Sequence, residues 1–161
     1  MILKPQLKDI KHIGYYLGKI TMGVGFTCFV PFIIGLLFKE FNPALDFLIS
    51  AEIALLFGLI LTWVCATDEE LNWIQTMVVV SLSWLAAMTL NAIPLYLSGH
   101  YKSFLDACFE TMSGLTTTGL TIVQDLDHLS HSHNLWRHLN AFIGGQGISI
   151  IAIAIFMGGG A

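Results

Sequence analysis

Four stretches of this chain, residues 20–38, 53–67, 71–101 and 139–161, contain no Asp, Glu, Lys or Arg. Uncharged apolar runs of this length have few homes. A bilayer core about 30 Å thick takes roughly 20 such residues as a single helix, with every backbone polar group bonded internally. The first, third and fourth stretches reach that length directly. The second does so once residues 47–50 are added and Glu52 is accommodated near one end. With 55% hydrophobic and only 11% charged residues, the sequence lies outside the balance of soluble domains. It reads as an all-α membrane protein.

Lys4, Lys8 and Lys11 stand against Asp9 at the start, and Lys19 precedes the first apolar run. Clustered lysines before a first span place the N-terminus in the cytoplasm, and four spans return the C-terminus there. The first run is span-length and lacks a small-residue cleavage site, so it reads as a retained helix and not a signal peptide. The loop at Asp68, Glu69 and Glu70 has no basic residue and adds little, because acids weigh lightly in that rule.

Several function classes drop out. There is no basic patch and no glycine-rich phosphate loop, so nucleic-acid binding and nucleotide hydrolysis have no support. Cys28, Cys65 and Cys108 are isolated in apolar surroundings and read as small buried hydrophobes. Asp106 and Glu110 are four apart, yet no nucleophile or orienting histidine accompanies them, which argues against an enzyme.

Along the chain, Pro31 predicts a bend in the first span. Residues 41–46, with Asn42 and Pro43, predict a short turn, followed by a second span over 47–64 with Trp63 at its inner interface. Glu52 falls about one turn into that span, where it packs on a neighbouring helix, sits at headgroup depth or lines an ion path. Residues 71–101 would reach about 46 Å as one helix, so their ends project or unwind. Pro94, Tyr96, Ser98 and Gly99 mark the outer end.

Next comes SFLDACFETMSGL, in which Ser103 and Asp106 have capping-box spacing. Phe104, Cys108, Met112 and Leu115 form one apolar stripe, while Asp106 and Glu110 share another face. A helix of about 13 residues ending at Gly114 is too short to cross and has the length of a re-entrant segment.

The polar stretch that follows, TTTGLT, interrupts the apolar sequence. Non-helical backbone at membrane depth survives only under protein or beside a water-filled cavity. With Thr116, Thr117, Thr118 and Gly119 extended, their carbonyls can replace part of an ion's hydration shell, and the short helix would direct its negative C-terminal end at a cation. The alternative is an ordinary outer loop whose threonines bond their own backbone.

Other residues keep two readings each. Asp106 and Glu110 either concentrate cations at an outer mouth or cap and solvate the short helix. Arg137 either snorkels or pairs with loop acids, or it braces the threonine-glycine loop. Gly144, Gly145, Gly147 and Ser149 allow close helix packing or flexibility. His128, His131 and His133, near Asp125 and Asp127, read as a solvated turn, with outer-mouth cation attraction or a metal as alternatives; their spacing fits no regular ligand set.

FETMSGLTTTGLT, residues 109–121, resembles the first pore loop of the TrkH/TrkG and KtrB superfamily of potassium transporters. LWRHLNAFIGGQGISIIAIAIF, residues 135–156, is similar to the start of the helix that follows that loop. With the region around Pro94 and Leu95, the likeness covers about residues 95–157. It implies an N-terminal helix pair over 1–70, then a repeat of helix, re-entrant pore helix, filter loop and helix over 71–161. It also implies a first filter strand at Thr116, Thr117, Thr118, Gly119 and Leu120, with potassium met at Thr117, Thr118 and Gly119. Arg137, Gly144, Gly145 and Gly147 match the family's following helix; Gln146 departs from its usual apolar residue.

The resemblance further implies potassium as the transported ion, no organic cofactor on this chain, a location in the bacterial inner (plasma) membrane and a transporter dimer. A cytoplasmic nucleotide-binding regulatory subunit would be its partner. Four repeats surround the ion path in that family, so one repeat supplies a quarter of a filter. The expectation is that the chain is the N-terminal part of a longer transporter. Its alternative is a truncated or accessory module that does not conduct.

Overall fold

The computed structural model describes residues 7–158, with side-chain surroundings for 8–149; Lys4 and residues 159–161 lie outside the described residues. Six helices follow in order, α1 (Leu7–Thr27), α2 (Phe29–Leu37), α3 (Phe41–Val64), α4 (Trp73–Leu97), α5 (Phe104–Leu115) and α6 (His131–Gly158). No strand occurs among the described residues. Lys8–Leu37, Phe41–Val64 and Trp73–Leu97 are long and apolar enough to cross a membrane. The chain is an all-helical, multi-pass membrane protein.

The first span begins earlier than the charge-free run, because Lys8, Lys11 and Lys19 lie within α1. Its break falls at Cys28 and not at Pro31. Proline has no amide to give the carbonyl four residues back, here Thr27, and its ring crowds that carbonyl. The irregular step is therefore displaced to Cys28, whose amide bonds Gly25 O at 3.2 Å before Phe32 N returns to Cys28 O. The turn expected over 41–46 is also corrected. These residues are the first turns of α3, where Pro43 lacks only an amide that a helix start leaves unpaired in any case. Glu52 consequently lies about three turns into α3, on an exposed face.

α1 crosses α3 with backbone against backbone: a Cβ on Gly18 would lie 2.8 Å from Gly58 O, and one on Gly58 would lie 2.7 Å from Gly18 O. Apolar chains in lipid gain little from burial alone, so such small-residue contacts set the crossing. Beyond it the core centres on Trp136, Phe47 and Leu95, with Cys28 and Cys108 buried among them as free thiols. The Trp136 indole donates to Asn91 O at 3.0 Å. α4 opens on a capping box in which Asn72 and Gln75 exchange hydrogen bonds at 2.8 and 3.0 Å.

α6 starts at His131, inside the segment read as a solvated turn, and His133 is only 2% exposed. Ser130 explains the difference, because its hydroxyl accepts from His133 N at 3.2 Å and its carbonyl from Asn134 N at 2.9 Å. Glu40, between α2 and α3, supplies the remaining acceptors, taking the amides of His131 and Ser132 at 3.0 and 3.3 Å. Partial burial opposes its charge, but the hydrogen bonds from His131 and Ser132 outweigh it and hold the carboxyl below its usual range. A depressed folded-state pKa stabilises above the ordinary glutamate value, and the stabilisation is lost as pH falls through the folded value. Glu40→Gln should therefore lower the thermal midpoint at neutral pH, and its curve should converge on wild type as the pH is taken into that acid range. Parallel curves would remove Glu40 from this role.

Candidate functional site

α5 is 12 residues long, about 18 Å, and cannot cross a bilayer. Its start is fixed by Ser103, whose hydroxyl accepts from Asp106 N at 3.1 Å while Asp106 Oδ2 accepts from Ser103 N at 3.0 Å. Asp106 therefore caps the helix, and it also lines a cavity of about 460 Å³ with Tyr101, Lys102 and Gln124.

The helix ends in a Schellman arrangement. Thr118 N bonds Ser113 O at 2.9 Å and Thr117 N bonds Gly114 O at 2.8 Å, with Thr117 left-handed at φ 57°. A β-branched residue in that region costs about 1–2 kcal/mol. Gly119 follows at φ 77° and also reaches Ser113 O, at 3.3 Å. Two residues two apart thus turn the chain sharply out of the helix. The Thr116 hydroxyl bonds Met112 O and the Thr118 hydroxyl, each at 2.8 Å. Among the described residues, no hydrogen bond is accepted by the carbonyls of Thr116, Thr117, Thr118 or Gly119. Leu120 differs, since its carbonyl accepts from Ser113 Oγ at 2.7 Å.

A buried charge pair holds the return limb of the loop. Glu110 and Arg137 have side chains 4% and 16% exposed. Arg137 directs Nε and Nη2 at Glu110 Oε1, at 2.8 and 2.7 Å. Glu110 Oε2 accepts from Ile122 N at 3.0 Å and from Thr121 Oγ1 at 3.1 Å, and Arg137 Nη2 reaches Thr121 Oγ1 at 3.0 Å. A carboxylate taken out of water needs such a set of donors. Of the two acids, Asp106 caps the helix and lines that cavity, while Glu110 is buried behind the loop.

Among Gly144, Gly145 and Gly147 on α6, Gly144 alone is sterically required. A Cβ there would overlap the Leu115 carbonyl, whereas at Gly145 it would sit 3.5 Å from Thr117 Cγ2 and at Gly147 it would meet nothing within 4 Å among the described residues. Gln146 is exposed.

The histidines diverge. His128 pairs with Asp125 at 2.7 Å, His131 stacks on Phe38 with centroids 4.2 Å apart, and His133 bonds Ser130 and Pro94 O. No group of three His, Cys, Asp or Glu side chains suited to a metal occurs among the described residues.

Sequence reasoning missed Ser113 and Thr121. Ser113 carried a signal, since it lies three residues after Glu110 and shares its face of α5. Thr121 carried none, because nothing local to a loop threonine names a carboxylate eleven residues away.

Residues 44–158 match the TrkH family, described as a cation transport protein. An uncharacterized cation transporter of Methanocaldococcus jannaschii is 38% identical over 148 residues, 92% of this chain and 31% of that protein. The Trk system potassium uptake protein TrkI of Halomonas elongata is 35% identical over 126 residues, 70% of this chain and 25% of that protein. TrkH of Escherichia coli, also a Trk system potassium uptake protein, is 31% identical over 131 residues, 80% and 27% of the two chains. The chain thus spans between a quarter and a third of the length of these relatives.

Proposed function

Because this chain belongs to the TrkH family of cation transport proteins, and so to membrane transporters and not enzymes, we propose that it supplies one of four backbone-carbonyl segments of a potassium selectivity filter. The observation that carries the reading is the run of four unbonded carbonyls, Thr116 to Gly119, at the C-terminal end of a short capped helix. A carbonyl already engaged by an amide has less to offer an ion. These four are free, and the negative end of α5 lies beside them.

In this reading potassium sheds part of its water at Thr117, Thr118 and Gly119, and no covalent chemistry occurs. The Thr116 hydroxyl, bonded to Met112 O, braces the turn. Ser113 holds the Leu120 carbonyl, and Glu110 with Arg137 holds Thr121 and Ile122, so the loop resists collapse or spreading as ions pass. Residues 1–70 form an N-terminal helix pair and 71–161 the first pore repeat, with α5 as its re-entrant pore helix. Further repeats, a second transporter copy and a cytoplasmic nucleotide-binding regulatory subunit complete the assembly. The N-terminus lies in the cytoplasm and no organic cofactor is bound here.

Two measurements test the reading. Cells lacking their own potassium uptake, and expressing the protein that carries this chain, should take up potassium or rubidium; its presence in the membrane without uptake would overturn the proposal. The native polypeptide should have a mass several times 17.7 kDa, carrying the other filter segments itself. A mass of 17.7 kDa would require them from other subunits.

A further inference from the structure

Asn91 on α4 and Asn140 on α6 are 2% and 1% exposed and share a single hydrogen bond, Asn91 Nδ2 to Asn140 Oδ1 at 2.7 Å. Asn91 Oδ1 and Asn140 Nδ2 remain buried with no hydrogen-bond partner among the described residues. Exchanging oxygen and nitrogen on both amides reverses the bond and leaves the same remainder, one acceptor and one donor. A third such atom, Thr111 Oγ1, belongs to a residue of α5 that is 1% exposed. Gly114, three residues on and on the same face of α5, is where that helix meets Asn140: a Cβ on Gly114 would lie 3.2 Å from Asn140 Cβ. Thr111 therefore lies on the face of α5 that packs against α6, one turn before the contact with Asn140.

Buried polar groups left unmet are costly, and internal water with about three hydrogen bonds is the common remedy. The chemistry of the set narrows the ligand. An amide N–H repels a bare cation, and an amide oxygen repels an anion. A neutral molecule that donates and accepts, and is small enough for a helix interface, suits all three groups.

We propose that Asn91, Asn140 and Thr111 form a binding site for one internal water molecule. It donates to one amide oxygen, accepts from the other amide's N–H and makes its third hydrogen bond with the Thr111 hydroxyl. The water joins α4 and α6 to α5, the helix that leads into the threonine-glycine loop. This inference does not rest on the filter reading, and its test does not use transport.

Thr111→Val removes the hydroxyl and keeps the shape. In the solubilised native protein, several times the size of this chain, it should lower the thermal midpoint by about 1–2 °C. An unmet hydroxyl would give no change or a rise, and either result overturns the proposal. A Thr111 bond to its own helix backbone would also lower the midpoint, so the variant is repeated in an Asn91→Val background. Loss of most of the effect there supports the shared water, and an undiminished effect overturns it. If the Asn91 variant does not fold, a wild-type density map that resolves ordered water decides: one peak within hydrogen-bond reach of Asn91, Asn140 and Thr111 is expected, and its absence refutes the site.

Discussion

Gly144→Ala should destabilise the protein by at least the upper part of the about 1–3 kcal/mol usual for overpacking, and should abolish transport. The added methyl would overlap the Leu115 carbonyl, which is backbone and has no rotamer to yield. Either α6 withdraws or the last turn of α5 unwinds, and Thr116 is the next residue in the chain. Gly147→Ala is the control, because no described residue lies within 4 Å of its added Cβ and alanine is the better helix former by about 1 kcal/mol. Thermal midpoints and ion flux of the two variants check the contrast. A Gly144→Ala protein with wild-type stability and flux would mean that α6 and α5 do not approach as described.

Arg137→Gln should cost about 3–5 kcal/mol, because it strands the Glu110 carboxylate with its remaining bonds to Thr121 and Ile122 but no opposite charge. Arg137→Lys should recover only part of that, since an ammonium cannot aim two fixed donors at Glu110 while also reaching Thr121. The double variant Glu110→Gln with Arg137→Gln should be more stable than Arg137→Gln alone, because no unpaired charge is then buried. Thermal unfolding of the single and double variants measures this coupling. Additive losses would show that the two side chains act separately.

What the sequence disclosed follows from how local each cause is. Three of the charge-free runs fall in the helices long and apolar enough to cross a membrane, because the bilayer acts on one helix at a time. The cap of α5 was legible because Ser103 and Asp106 lie three residues apart and need no third element. The start of α6 was not, since Glu40 serves it from 91 residues away and Ser130 stands in a histidine-rich stretch that reads as a turn. Asn42 and Pro43 suggested a turn for a related reason: proline ends a helix from within but is accepted in its first turn, and position decides which.

The site was legible as a segment and illegible as a set of roles. Spacing drew attention to residues 116–120 but could not reveal that Leu120 O is held by Ser113 while the preceding four carbonyls are unbonded. Three glycines within four positions of α6 look equivalent in sequence. Only the course of α5 beside them distinguishes Gly144. Glu110 and Arg137 each kept two readings because 27 residues of loop and helix separate partners that meet in space.

The most direct test of the filter assignment is the potassium-to-sodium permeability ratio of the intact transporter, measured for wild type and Gly119→Ser. Gly119 has φ 77°, and among the described residues a Cβ added there would meet no atom within 4 Å, so serine strains the backbone without a clash inside this segment. A backbone-carbonyl filter predicts a marked fall in potassium preference, at unchanged protein level in the membrane. An unchanged ratio at unchanged flux would contradict the assignment of this loop as a filter segment.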